Sequence, residues 1–139
     1  MKQILTRLLV PVLLLILPLL VSAQTRKFPS PPTADTIKNP LTLKAHPETL
    51  ADGKKLYVRF CVTCHGEKGK GDGVAAASLN KPPADHTSSF VQKQTDGAIF
   101  WIINEGNNPM PKYKRVLTPA QMWSVVNYIR TLAKLPEKK

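Results

Sequence analysis

The stretch Phe60-Cys61-Val62-Thr63-Cys64-His65-Gly66 holds both cysteines of the 139-residue chain, two residues apart, with a histidine directly after the second. Cys-x-x-Cys-His is the spacing at which c-type haem is attached. The order suits the chemistry. Each thiol adds across one vinyl group of the porphyrin, and two intervening residues let both sulfurs reach neighbouring pyrrole rings from one helical turn. His65 then meets the iron from the same side as the proximal ligand. Three other readings of the pair compete. A thioredoxin-like redox pair asks for a βαβ context that the sequence does not offer. Half of a zinc site lacks further ligands at motif spacing, and a structural disulfide leaves His65 without a purpose.

Toward the N-terminus, Lys2 and Arg7 form a basic opening, Leu8 to Val21 is apolar, and Val21-Ser22-Ala23 supplies small residues for cleavage. The apolar run is fourteen residues long and is interrupted by Pro11 and Pro18. That is short for a membrane span and typical of a secretory signal. We read residues 1–23 as a signal peptide, with an uncleaved anchor as the other reading, and expect a periplasmic chain with no span after cleavage. In an oxidising compartment a spare thiol pair closes on itself, so covalent attachment explains why two thiols are kept. Lys2 and Arg7 leave with the signal, which takes the formal net charge from +11 to +9. Such a charge serves solubility or steers the protein toward an acidic partner. An exported chain without a nucleic-acid-binding motif is read as having no nucleic-acid partner.

Residues 24–46 carry Pro29, Pro31, Pro32 and Pro40, with few large apolar residues after Phe28, and read as an extended, mobile leader. The folded domain is expected over 47–135, with 136–139 as a tail. A first helix over Glu48–Phe60 puts Leu50, Gly53, Tyr57 and Phe60 on one face. Pro47 suits its first turn, and Thr49 with Asp52 offers a cap. Gly53 costs stability in mid-helix and makes sense where another helix backbone comes very close. After His65, the glycines Gly66, Gly69, Gly71 and Gly73 alternate with Lys68, Lys70 and Asp72 in a sharply turning loop. A phosphate cradle would need a Gly-Lys-Ser/Thr ending, which this loop lacks.

Val74 to Leu79 suggests a short helical turn, and Asn80-Lys81-Pro82-Pro83 breaks structure. A second helix is predicted from Asp96, as its cap, to about Asn104, apolar almost all round and stopped by Gly106. Its Trp101 reads equally as cofactor-pocket lining or as core. The last helix opens on the capping box Thr118-Pro119-Ala120-Gln121, carries the stripe Met122, Val125, Val126, Ile129 and Ala133, and ends before Pro136.

Between these two helices lies the irregular stretch Asn107-Asn108-Pro109-Met110-Pro111-Lys112-Tyr113. A thioether braced by Pro109 and Pro111 meets iron with little conformational entropy left to lose. It lies 45 residues after His65, enough chain to wrap a porphyrin. Met110 is therefore the expected second axial ligand; its alternative role is to plug a gap in the core. Met122 belongs to an apolar stripe. His46 and His86 read as solvated surface histidines, His86 being the bis-histidine alternative. The expected cofactor-binding residues are Cys61, Cys64, His65 and Met110, with His65 and Met110 on the metal and no catalytic residue.

With these residues in hand, the chain resembles class I c-type cytochromes over about Thr49 to Leu132. The resemblance rests on Cys61-Val62-Thr63-Cys64-His65-Gly66, on Pro109-Met110-Pro111, and on the order helix, haem motif, glycine loop, helix, methionine, helix. It implies a small all-α fold of three to five helices around one covalently attached haem c. In that family the first and last helices cross at a glycine and two aromatics, which Gly53, Tyr57 and Tyr128 match, and the carbonyl of Pro82 or Pro83 would receive the proximal imidazole N–H. The stretches 66–85 and 96–106 look more like bacterial domains associated with respiratory oxidases than like mitochondrial cytochrome c. The function implied is single-electron transfer in the periplasm, as a soluble carrier or small subunit serving a respiratory chain. The implied partners are redox proteins with an acidic docking surface, met through Lys68, Lys70, Lys112, Lys114 and Arg115, the protein itself being a monomer or a subunit of a respiratory complex. The alternatives are a peroxidase-like haem enzyme or sensor with a displaceable distal ligand, and a haem-free binding module.

Overall fold

The computed structural model describes residues 28–133. The signal peptide read at 1–23, residues 24–27, Pro136 and the tail 136–139 lie outside the described residues. Within them the chain forms α1 (Thr49–Phe60), α2 (Val62–His65), α3 (Ser89–Gln92), α4 (Asp96–Glu105) and α5 (Pro119–Leu132), with 3₁₀ turns at Pro32–Thr36 and Ala76–Ser78 and no named strand. The fold is all-α.

The core is built around α5. Its start is a reciprocal cap: the Thr118 hydroxyl accepts from the Gln121 N–H at 3.3 Å, and the Gln121 side chain accepts from the Thr118 N–H at 2.8 Å. Every residue from Met122 to Ile129 is buried, because α1 covers one side of the helix and α4 the other. Leu132 joins the predicted stripe, whereas Ala133 is exposed.

Where α1 crosses α5, a Cβ on Gly53 would overlap the Ser124 carbonyl, so only glycine permits this approach. The Tyr57 and Tyr128 rings pack beside the crossing with centroids 5.2 Å apart. The cap predicted from Thr49 and Asp52 does not form. The Thr49 hydroxyl donates to the His46 carbonyl at 2.7 Å and accepts from the Asn127 amide at 2.8 Å, tying α1 to α5 instead. Thr95, not Asp96, caps α4, its hydroxyl accepting from the Ala98 N–H at 3.1 Å. Asp96 is drawn away by Arg130, whose Nε donates to it at 2.8 Å.

The leader reading fails from Phe28 onward. Ala34 is buried, and a Cβ on Gly97 would collide with its carbonyl, so the 3₁₀ turn sits directly on the first turn of α4. The Asn39 amide reaches Asp96 at 3.0 Å and Asn127 at 2.9 Å, and Phe28 packs on Phe90. The prolines here set a path along the domain rather than loosening the chain; fewer unfolded conformers make such a path cheaper to fix.

Past α2 the glycine loop folds back on the haem motif. Gly66, Gly69 and Gly71 take φ of +76°, +74° and +77°. Those turns let the N–H groups of Gly71, Gly73 and Ala75 donate to the carbonyls of His65, Cys64 and Thr63 at 2.9, 3.1 and 2.9 Å. The open end of α2 is thereby satisfied. Trp101 is neither core nor cavity lining; the buried tryptophan is Trp123, stacked on Phe100 at 4.1 Å. Among the described residues no helix is long and apolar enough to cross a membrane.

Candidate haem site

Helices α1 to α5, with the segments before α3 and after α4, line a cavity of about 620 Å³. That lies within the range of roughly 300–1,000 Å³ in which proteins hold cofactor-sized ligands. Phe60, Leu79, Ile99, Ile103, Val125 and Ile129 make its walls apolar, and Cys61, Cys64, His65 and Met110 all reach it. The four residues read from the sequence are thus brought to one place.

The two thiols owe their presentation to a single residue between helices. Cys61 closes α1 and opens α2, so the Cys64 and His65 N–H groups both donate to its carbonyl, at 3.2 and 2.8 Å. Neither thiol is in a disulfide. Burial pushes the Cys61 thiol up to about 12, with Cys64 adding to the rise. Thiolate is the reactive form, and burial opposes its formation at Cys61.

His65 is buried, and its Nδ1–H donates to the Ala84 carbonyl at 2.9 Å. The acceptor is therefore neither Pro82 nor Pro83. Pro83 turns its carbonyl toward Gly71, and the next carbonyl along the chain faces the ring. With Nδ1 occupied, Nε2 keeps the lone pair that a metal requires. Burial lowers the pKa of His65, and the Ala84 bond opposes that shift.

His86 is a correction. It is 8 % exposed, not solvated, and its ring stacks on His65 with centroids 4.1 Å apart and planes 18° from parallel. It stands beside His65 rather than opposite it. Its N–H donates to the Gly69 carbonyl at 2.6 Å, which draws it beneath the glycine loop. The Tyr57 hydroxyl donates to the Gly66 carbonyl at 3.2 Å and lies 3.1 Å from His86 Nδ1. With the phenol proton committed to Gly66, His86 Nδ1 is the donor of that second bond. Burial first, and His65 second, hold the His86 pKa well below the usual histidine value.

Met110 is half-buried on a loop closed by two bonds, with Met110 and Asn107 exchanging N–H and carbonyl at 3.0 Å each way. Tyr113 anchors the end of that loop. Its N–H donates to the Ile103 carbonyl at 3.0 Å, and its hydroxyl donates to the Phe60 carbonyl at 2.9 Å, one residue before Cys61. Sequence reasoning missed Tyr113, His86 and the Ala84 carbonyl. An aromatic three residues after Met110 was a usable signal for the first; the polar neighbours of His86 concealed the second.

Two unpaired thiols, an imidazole with a free Nε2 and a thioether on one apolar cavity form the donor set that haem c takes. A small all-α fold around such a cavity defines a class I c-type cytochrome. The family described as cytochrome c oxidase, cbb3-type, subunit III matches residues 48–129, and the chain belongs to that family. Over 97 residues it is 31 % identical to cytochrome c6 of Synechococcus sp., covering 70 % of this chain and 82 % of that protein. It is similar in structure to a chain of the Kuenenia stuttgartiensis reducing HAO-like protein complex Kustc0457/Kustc0458, with a TM-score of 0.59, 26 % identity and 69 % of this chain covered. The match spans about half of that chain, at 49 %. It is also similar to the KustC0563 c-type cytochrome, with a TM-score of 0.51, 32 % identity, and 58 % of this chain and 96 % of that one covered. The protein is an electron-transfer protein that carries haem c.

Proposed function

We propose that this cytochrome is an exported single-electron carrier, free or as a small subunit in a respiratory chain, with His65 and Met110 as axial ligands. The observation that supports this reading is that Met110, on a hydrogen-bonded loop, shares one apolar cavity with Cys61, Cys64 and His65. When bound, haem c supplies an iron that changes charge by one electron. The chain's residues supply the rest. Cys61 and Cys64 would hold the group through two thioethers, and the Ala84 carbonyl holds the tautomer and orientation of His65. A methionine sulfur in place of a second imidazole raises the reduction potential, and the apolar walls limit access of water. Held by both His65 and Met110, the group would have no position left for a substrate.

The test is Met110→Ala, produced with haem-attachment machinery. We expect the variant to keep covalently bound haem and lose the sulfur-to-iron charge-transfer band. A wild-type protein without that band overturns the ligand assignment. Ready binding of carbon monoxide by the reduced wild type at neutral pH would instead favour the enzyme or sensor reading.

Partner recognition rests on charge. Lys68, Lys112 and Arg115 are exposed beside the haem motif and the methionine loop, whereas Lys114 is engaged by Glu105 at 2.8 Å. The Lys114 hydrogen bond holds the Glu105 carboxyl below its usual range. An acidic redox partner suits this collar. The reaction with such a partner should slow as salt is added, and Lys112→Glu with Arg115→Glu should slow it on the order of tenfold at low ionic strength. A salt-independent rate contradicts steering. Export is tested by the N-terminus of the mature protein, expected at Gln24.

A further inference from the structure

A buried histidine is an expensive way to fill space. Its ring carries two nitrogens that must be satisfied when water is excluded, and a leucine of similar volume would pack beside a haem without that demand. One of the two in His86, Nδ1, is met by the Tyr57 hydroxyl at 3.1 Å. That hydroxyl is bonded in turn to the carbonyl of Gly66, the residue directly after the proximal ligand. Tyr57 is fully buried, held by its tilted ring contact with Tyr128 across the α1–α5 crossing. The His86 ring is thereby tied, through Tyr57, to the α1–α5 crossing.

His65 needs such a neighbour. Its one hydrogen bond, from Nδ1 to Ala84, sets the tautomer but leaves the ring free to rock about the line of that bond. A flat ring at 4.1 Å and 18° blocks that motion on one side and places π-density against the imidazole. A branched aliphatic side chain offers no plane.

We propose that His86, clamped by Tyr57, is a positioning residue that sets the orientation and the electronic character of the proximal imidazole of His65, and with them the reduction potential. This rests on His65 being the proximal ligand and goes beyond the axial assignment. The stack makes the α1–α5 crossing part of the redox site: Tyr57 touches Tyr128 on one edge and reaches His86 through its hydroxyl.

The experiment compares holoprotein of wild type, His86→Leu, His86→Phe and Tyr57→Phe by redox titration, by electron paramagnetic resonance of the oxidised state, and by the paramagnetically shifted methyl resonances of the haem. His86→Leu should shift the midpoint potential, move and broaden the low-spin resonance, and reorder the methyl shifts, while the sulfur-to-iron band persists. His86→Phe, which keeps a plane without the Tyr57 bond, should restore part of the wild-type pattern. Tyr57→Phe should produce a smaller change of the same kind as His86→Leu. If His86→Leu does not accumulate, Tyr57→Phe and His86→Phe decide the matter. Potentials, resonances and methyl order unchanged from wild type in every variant that folds, whatever their melting temperatures, overturn the proposal. Absence of the sulfur-to-iron band in the wild type would be a failure of the Met110 assignment instead, and is read separately from the differences among variants.

Discussion

Tyr57 carries more than its size suggests. Its ring fills the helix crossing, its hydroxyl bonds Gly66 and His86, and burial raises the phenol pKa above the ordinary 10.0. Above about pH 10 the unfolded chain releases a proton that the fold retains, so stability present below that pH is lost as the pH rises. The loss amounts to about 1.4 kcal/mol per pH unit for one such group. Tyr57→Phe should therefore be less stable than wild type at neutral pH, by about 1 kcal/mol for the missing hydrogen bonds, yet fall less steeply in alkali. Urea unfolding at about pH 8 and about pH 11 checks this; parallel losses in the two proteins would show that the phenol ionises alike in the folded and unfolded states.

Among the elements, α1 and α5 form the clamp on which the site is mounted. Their contact requires that nothing project from Gly53, since a Cβ there meets the Ser124 carbonyl. Gly53→Ala should improve helix propensity by about 1 kcal/mol and still destabilise the protein, because separating two packed backbones costs about 3 kcal/mol or more. The melting temperature should drop by on the order of 10 °C. Ala51→Gly, at an exposed position of the same helix, provides the scale of propensity alone. A Gly53→Ala protein as stable as wild type would mean that the two helices have room to separate.

At the scale of the whole molecule, α4 and α5 meet through Phe100 and Trp123, and the rest of their apolar faces borders a cavity: Ile99, Ile103, Val125 and Ile129 all line it. A domain this small buries a modest fraction of its apolar surface even when complete. Covalent haem supplies the missing centre of the core. Cys61→Ala with Cys64→Ala should accordingly leave a chain with little helix and no cooperative melt by circular dichroism. A transition close to that of the holoprotein would show that the helices suffice alone.

The amino-acid sequence by itself determined the haem-attachment motif, the all-α class and the start of the last helix. Cys61, Cys64 and His65 were legible because attachment needs those groups within one helical turn, and the start of α5 because a capping box is local. Gly53 announced a close crossing by being unfavourable where it stood. What only the tertiary structure decided were relations between residues distant in the chain: Ala84 in place of a proline as acceptor for His65, His86 stacked inside rather than solvated, Asp96 taken by Arg130, and residues 28–46 laid along the domain. The reason is physical. Periodicity and caps report the nearest few residues, whereas the partner of a buried polar group is whichever atom the packed fold brings within about 3 Å of it.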